Sequence, residues 1–115
     1  MNLAGARVLI TGGAGLVGSH LASDLVDDAE LVRVIDDLSK GDRDRVPDGA
    51  EFVHGDLTDP DDLADALTPD LDVVFHFAAY TDTNYDDDRE LFEKNTAMTY
   101  NVAERMVEAD VDTLV

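Results

Sequence analysis

The stretch VLITGGAGLVGSHLASDLV, Val8 to Val26, constrains the fold more than any other part of the chain. Its first residues read as a buried strand, Arg7 to Ile10, and its last as an amphipathic helix from Leu16 to about Val26, apolar at Leu16, Val17, Leu21, Leu25 and Val26. Gly12 and the triad Gly13, Gly15 and Gly18 run from the turn between them into the first turn of the helix, the triad at the G-x-G-x-x-G spacing of a dinucleotide-binding turn. A glycine at the tight turn supplies backbone angles that side chains forbid. Gly15 lets backbone amides approach a pyrophosphate at the helix N-terminus, where unpaired N–H groups and the helix dipole favour an anion. Gly18 lets helix and strand pack closely. A purely structural turn would need glycines too, so the neighbouring residues decide.

Asp36, in VIDDLSKG, ends a second strand (Leu31 to Ile35) 18 positions beyond Gly18. A carboxylate there accepts hydrogen bonds from ribose hydroxyls and repels a 2′-phosphate, which favours NAD over NADP. The alternative is that Asp36 and Asp37 merely start a turn. In HGDLTD, Asp56 follows a third short strand (Glu51 to His54), a position suited to adenine's exocyclic amine.

The rest of the chain keeps alternating. Asp59 is expected to cap a helix with Pro60 in its first turn, running through Leu67. Val73 to Ala78 reads as a fourth strand, about Asp87 to Ala109 as a long helix with Leu91, Met98, Val102 and Met106 on its buried stripe, and Val111 to Val115 as the start of a fifth strand. The expected fold is α/β: a doubly wound parallel sheet of Rossmann type in one domain over residues 1–115, with about five strands in the order 3-2-1-4-5 and C-terminally incomplete.

Composition narrows the function classes. With 27 Asp plus Glu against 8 Lys plus Arg, the net charge is −19, which disfavours nucleic acid and anionic membrane as partners. Apolar residues at 44% argue against a disordered acidic tail. A carboxylate-covered surface of halophilic kind is the preferred reading; acidity for solubility and a role in binding cations are the alternatives. The absence of cysteine removes disulfides and thiolate metal sites, His20, His54 and His76 have no metal-ligand spacing, and no metal is expected. The N-terminus lacks the length of a signal peptide or membrane span, and a cytoplasmic location is expected.

In this order, TGGAGLVG, VIDDLSKG, HGDLTD, VFHFAA (Val74 to Ala79) and FEKNTAMTYNVAE (Phe92 to Glu104) resemble the N-terminal part of an extended short-chain dehydrogenase/reductase, in the NAD-dependent epimerase/dehydratase group. DDLSKG in particular is similar to the adenosine-ribose loop of nucleotide-sugar 4-epimerases. The resemblance implies Leu16 and Val17 at the pyrophosphate, and Asp36, Asp37, Leu38, Ser39, Lys40 and Gly41 around the ribose. It implies Asp56 and Leu57 beside the adenine, Phe77, Ala78, Ala79, Tyr80 and Thr81 along the cofactor, and Asn95 near the nicotinamide side.

That family's chemistry also needs a Ser or Thr after the fifth strand and a Tyr-x-x-x-Lys, whose lysine lowers the tyrosine's pKa. Tyr80, Tyr85 and Tyr100 are followed four residues on by Asn84, Arg89 and Glu104, so no catalytic residue is expected here. Three readings follow: the NAD-binding portion of a nucleotide-sugar epimerase or dehydratase, meeting its substrate only with a C-terminal region; a stand-alone, non-catalytic dinucleotide-binding module; and, far behind, a small acidic signalling receiver. A homo-oligomer through the exposed fifth-strand edge is expected of either of the first two.

Overall fold

The computed structural model describes residues 3–80 and 88–115. Its elements alternate as expected: β1 (Arg7–Thr11), α1 (Leu16–Leu25), β2 (Leu31–Asp36), a 3-10 turn (Arg43–Arg45), β3 (Glu51–His54), α2 (Pro60–Ala66), β4 (Val73–His76) and α3 (Asp88–Ala109). The strands form one parallel sheet in the order β3-β2-β1-β4. The chain therefore steps outward from β1 to β3 and then crosses back to place β4 on the other side of β1.

Side chains alternate across the sheet with the period of two that extended backbone imposes. Leu9, Ile35 and Val74 face α2 and α3, packing with Leu63, Leu67, Met98, Val102 and Met106. Val8, Ile10, Val32, Val34, Val73 and Phe75 face the opposite side, against Ala22, Leu21 and Leu25 of α1. Helices thus cover both faces, and fully buried strand residues, Leu9, Ile10, Val34 and Ile35 among them, sit at the centre.

Strand ends differ by a few residues from the sequence expectation, and each difference has a local cause. β2 runs on to Asp36, whose carbonyl accepts from Gly55 N at 3.2 Å. β4 stops at His76 instead of Ala78 because the Ala78 amide turns to the Thr11 hydroxyl at 3.1 Å. The expected fifth strand is present as a short pairing: Leu114 bridges Val74, with Val74 N bonded to Thr113 O and Val115 N to Val74 O, both at 2.9 Å.

The helices are closed by specific contacts. Asp59 caps α2 through Asp61 N, with Pro60 in the first turn. At its other end Arg33 reaches over from β2, donating to Ala66 O at 2.9 Å and Thr68 Oγ1 at 2.8 Å while its Nε meets Glu51. A cation among the unsatisfied carbonyls of a helix C-terminus is favourably placed. α3 ends in a bond from Val111 N to Met106 O around Asp110, which adopts φ 59°. Among the described residues no helix is long and apolar enough to cross a membrane.

Candidate cofactor site

The turn after β1 is built by glycines in unequal roles. Gly12, with φ at 68°, takes the left-handed position, and a Cβ there would lie 2.8 Å from Ala78 N. Gly13 instead lies buried against Val34, so the left-handed role falls one residue before the spaced triad. A Cβ on Gly18 would stand 2.5 Å from Gly12 O, so the first turn of α1 rests directly on the loop. Gly15 is the N-cap of α1 and no side chain caps it, so the first amides of the helix have no capping partner there. Leu16 and Val17, read from the sequence as part of the helix's apolar face, are each 64% exposed and lie on this open side. An anion suits such a terminus, where unpaired N–H groups and the helix dipole favour negative charge.

The loop after β2 is stitched to that turn. Asp36 accepts from Ala14 N through Oδ2 at 3.0 Å and from Leu38 N through Oδ1 at 2.8 Å. The second bond supports Leu38 in a left-handed conformation, φ 64°, that is unusual for a branched residue. Asp42 N then bonds to Ala14 O at 2.9 Å, and Gly41 passes so close that a Cβ would touch both Ala14 and the Asp36 carboxylate. Each Asp36 oxygen keeps a further lone pair.

Asp37 ties the next loop across. Its Oδ1 accepts from the amide and hydroxyl of Ser39, and its Oδ2 from the Tyr80 hydroxyl at 2.8 Å. Burial pushes its pKa up, but the bonds from Ser39 and Tyr80 outweigh burial and hold the carboxyl below its usual value. Tyr80 is itself fixed by Asn95 of α3: Tyr80 N donates to Asn95 Oδ1 at 2.7 Å and Asn95 Nδ2 donates to Tyr80 O at 2.9 Å.

Around these loops, at the carboxyl ends of β1, β2 and β4, lies a cavity of about 110 Å³. Gly12, Gly15, Asp36, Asp37, Ser39, Lys40, Gly41, Leu57, Phe77, Ala78, Ala79 and Tyr80 line it, all of them expected from sequence. Gly13, Leu16, Val17, Gly18 and Leu38 support or flank the turn without lining the cavity, and Asn95 acts through Tyr80. Asp56 does not line the cavity; its Oδ1 accepts from the amide and hydroxyl of Thr58 at 2.9 and 2.7 Å. Thr81 lies outside the described residues. Ile35, Gly55 and Met98 line the cavity and were not among the expected residues. Ile35 and Gly55 adjoin residues that were, whereas Met98, read as part of the buried stripe of the long helix, serves both the core and the cavity.

Beneath the cavity, Thr11 accepts from Ala78 N and meets His76 Nδ1 at 2.7 Å, while His76 Nε2 lies 3.2 Å from Thr99 Oγ1. A neutral imidazole, with Nδ1 accepting from Thr11 and Nε2–H donating to Thr99, satisfies this pattern. Burial lowers the His76 pKa from 6.5. As pH falls through that value the unfolded chain takes up a proton that the native state refuses, so stability should fall. Between pH 7.5 and 5.5, above the carboxylate range, the urea midpoint of the wild type is expected to drop more than that of His76→Gln. Equal drops would remove His76 as the cause.

A parallel sheet wound outward from β1 in both directions, with a glycine turn and an acidic strand end around one crevice, is the architecture of dinucleotide-binding α/β proteins. Comparison with known proteins agrees. Residues 8–115 match the model of the NAD dependent epimerase/dehydratase family. The UDP-glucose 4-epimerase of Halalkalibacterium halodurans is 38% identical over 112 residues, covering 94% of this chain and 33% of that protein. A putative UDP-glucose 4-epimerase of Methanocaldococcus jannaschii is 32% identical, covering 94% and 36%. Among solved structures, a UDP-glucose 4-epimerase of Thermus thermophilus in complex with NAD superposes with a TM-score of 0.82 at 34% identity, over 94% of this chain and 36% of that one. An epimerase of Methanothermobacter thermautotrophicus reaches 0.88 at 31%, over 97% and 34%. The chain belongs to the NAD dependent epimerase/dehydratase family. It spans about a third of the length of the curated relatives it matches.

Proposed function

We propose that this chain binds NAD and forms the cofactor-holding portion of a nucleotide-sugar epimerase or dehydratase, 4-epimerase-like in its substrate class. The observation that carries the reading is the Asp36 carboxylate bonded to Ala14 N, which locks the end of β2 to the glycine turn beside the cavity. The family membership and the NAD complex of the Thermus relative support it.

In this reading the uncapped amides of Leu16 and Val17 take the pyrophosphate, favoured by the α1 dipole in a chain that otherwise repels anions. The spare lone pairs of Asp36 take the ribose hydroxyls and repel a 2′-phosphate. Ile35, Leu57 and Met98 supply the apolar walls of the base slot, and Phe77 to Ala79 continue the cleft past β4. Bound NAD supplies a ring that accepts and returns hydride; this chain's part is to hold and orient it. The Ser or Thr and the Tyr-x-x-x-Lys do not occur in these 115 residues, so the proton-transfer step is assigned to none of them.

The test is calorimetric titration of NAD, NADP and ADP-ribose into the chain. Concentrated KCl is the medium, because a net charge of −19 calls for screening. NAD and ADP-ribose are expected to bind and NADP to bind at least tenfold more weakly. A folded chain that binds none of them overturns the reading. The cytoplasm is the proposed location. Self-association is proposed at the edge beyond β4, where Leu114 and Val115 are 46% and 56% exposed. Sedimentation equilibrium should show a mass that rises with concentration, and a constant monomer mass would exclude that contact.

A further inference from the structure

Among the described residues, the loops after β2 and β4 meet across the cavity where the Tyr80 hydroxyl donates to Asp37 Oδ2 at 2.8 Å. Both partners are braced from behind. Ser39 holds the other Asp37 oxygen through two donors, and Asn95 grips the Tyr80 backbone through two bonds. The Lys94 ammonium lies 5.2 Å from the centroid of the Tyr80 ring. The ring also packs against the core cluster that contains Ile35, Leu57 and Met98, the three residues that wall the cavity's apolar end.

Size gives this contact its meaning. The cavity measures about 110 Å³, whereas sites for ligands of drug size run from roughly 300 to 1,000 Å³. The adenosine half of a dinucleotide takes more room than that volume, and widening the gap between the two loops parts Tyr80 from Asp37. We propose that the Tyr80–Asp37 pair is a latch across the base end of the cleft, which must open for the adenosine half of a dinucleotide to enter. The proposal rests on the NAD reading above and adds to it a control on entry.

A hydrogen bond to a carboxylate is stronger than one between neutral groups, so the open form is a minority. Apparent affinity falls in proportion to the population of that competent form. Tyr80→Phe keeps the ring and its packing and removes only the hydroxyl. It is expected to raise both the association rate of NADH, followed by stopped-flow fluorescence, and the calorimetric affinity for NAD, each by about tenfold. Tyr80→Leu, which also lacks the ring, should bind at least as fast as the wild type, while Tyr100→Phe on the exposed face of α3 should match the wild type.

Equal or weaker binding by Tyr80→Phe overturns the latch and makes Tyr80 a wall of the site, with the NAD reading intact. Failure of both the wild type and the folded variants to bind NADH or NAD overturns the latch and the NAD reading together. Binding by Tyr80→Phe where the wild type binds too weakly to measure supports the latch.

Discussion

Gly18→Val is expected to destabilise the chain by about 3 kcal/mol or more. The first atom of the new side chain would fall 2.5 Å from Gly12 O and 2.8 Å from Gly13 Cα, both backbone atoms of a loop pinned at each end. No rotamer removes a Cβ, so α1 must lift off the turn or the turn must deform. Lifting exposes the α1 side of the core, including Ala22 packed against Val8 and Ile10. A thermal melt should show Tm lowered by more than ~10 °C, and NAD binding should disappear with the turn. Gly49→Ala, where a Cβ would meet no backbone and only the Val26 side chain, at 3.3 Å and beyond, is the matched control and should be close to neutral. A Gly18→Val protein as stable as the control would show that the helix does not rest on the loop.

Asp36→Ala is expected to weaken NAD binding by roughly 100-fold and to lower stability by about 2–4 kcal/mol. Two backbone amides, Ala14 N and Leu38 N, lose a charged acceptor together. Leu38 loses the bond that supports its left-handed conformation, and the crossing at Gly41 and Asp42 loses its anchor. The same substitution removes the charge that opposes a 2′-phosphate, so the gap between NAD and NADP should narrow. Calorimetry with both cofactors and a urea titration separate the two roles. An unchanged cofactor preference beside a lost stability would leave Asp36 as a brace for the turn and take it out of ribose recognition.

The architecture was legible because its signals are local and periodic. Leu9 against Val8 and Ile10, or Ile35 against Val34, declare two buried faces by simple alternation, and Met98, Val102 and Met106 repeat every four residues along α3. The details that escaped depend on partners far away in the chain. Nothing near Ala78 announces that its amide will leave the strand for Thr11, 67 residues earlier. Two adjacent glycines at Gly12 and Gly13 cannot be ranked by spacing, since only the approach of Ala78 and Val34 assigns one to the turn and the other to packing. The Asp56–Thr58 bonds, by contrast, are local: an acid two residues before a threonine is disposed to fold back on it. Met98 shows the opposite difficulty, because its stripe position was read correctly while its second exposure, to the cavity, follows from where α3 crosses the sheet.

The position of β1 also bears on how the chain is made. Its first neighbour, β2, begins at Leu31, but Val8 finds its partner on the other side, Val73, only after 65 further residues. At ribosomal speeds of about 5–20 residues per second, the central strand waits some 3–13 s with one edge open. During that interval its row of unpaired amides and carbonyls is a template for another extended chain. The segment of greatest hazard in biosynthesis is therefore the most deeply buried one in the finished sheet, and the danger ends when Val73 to His76 arrive to close it.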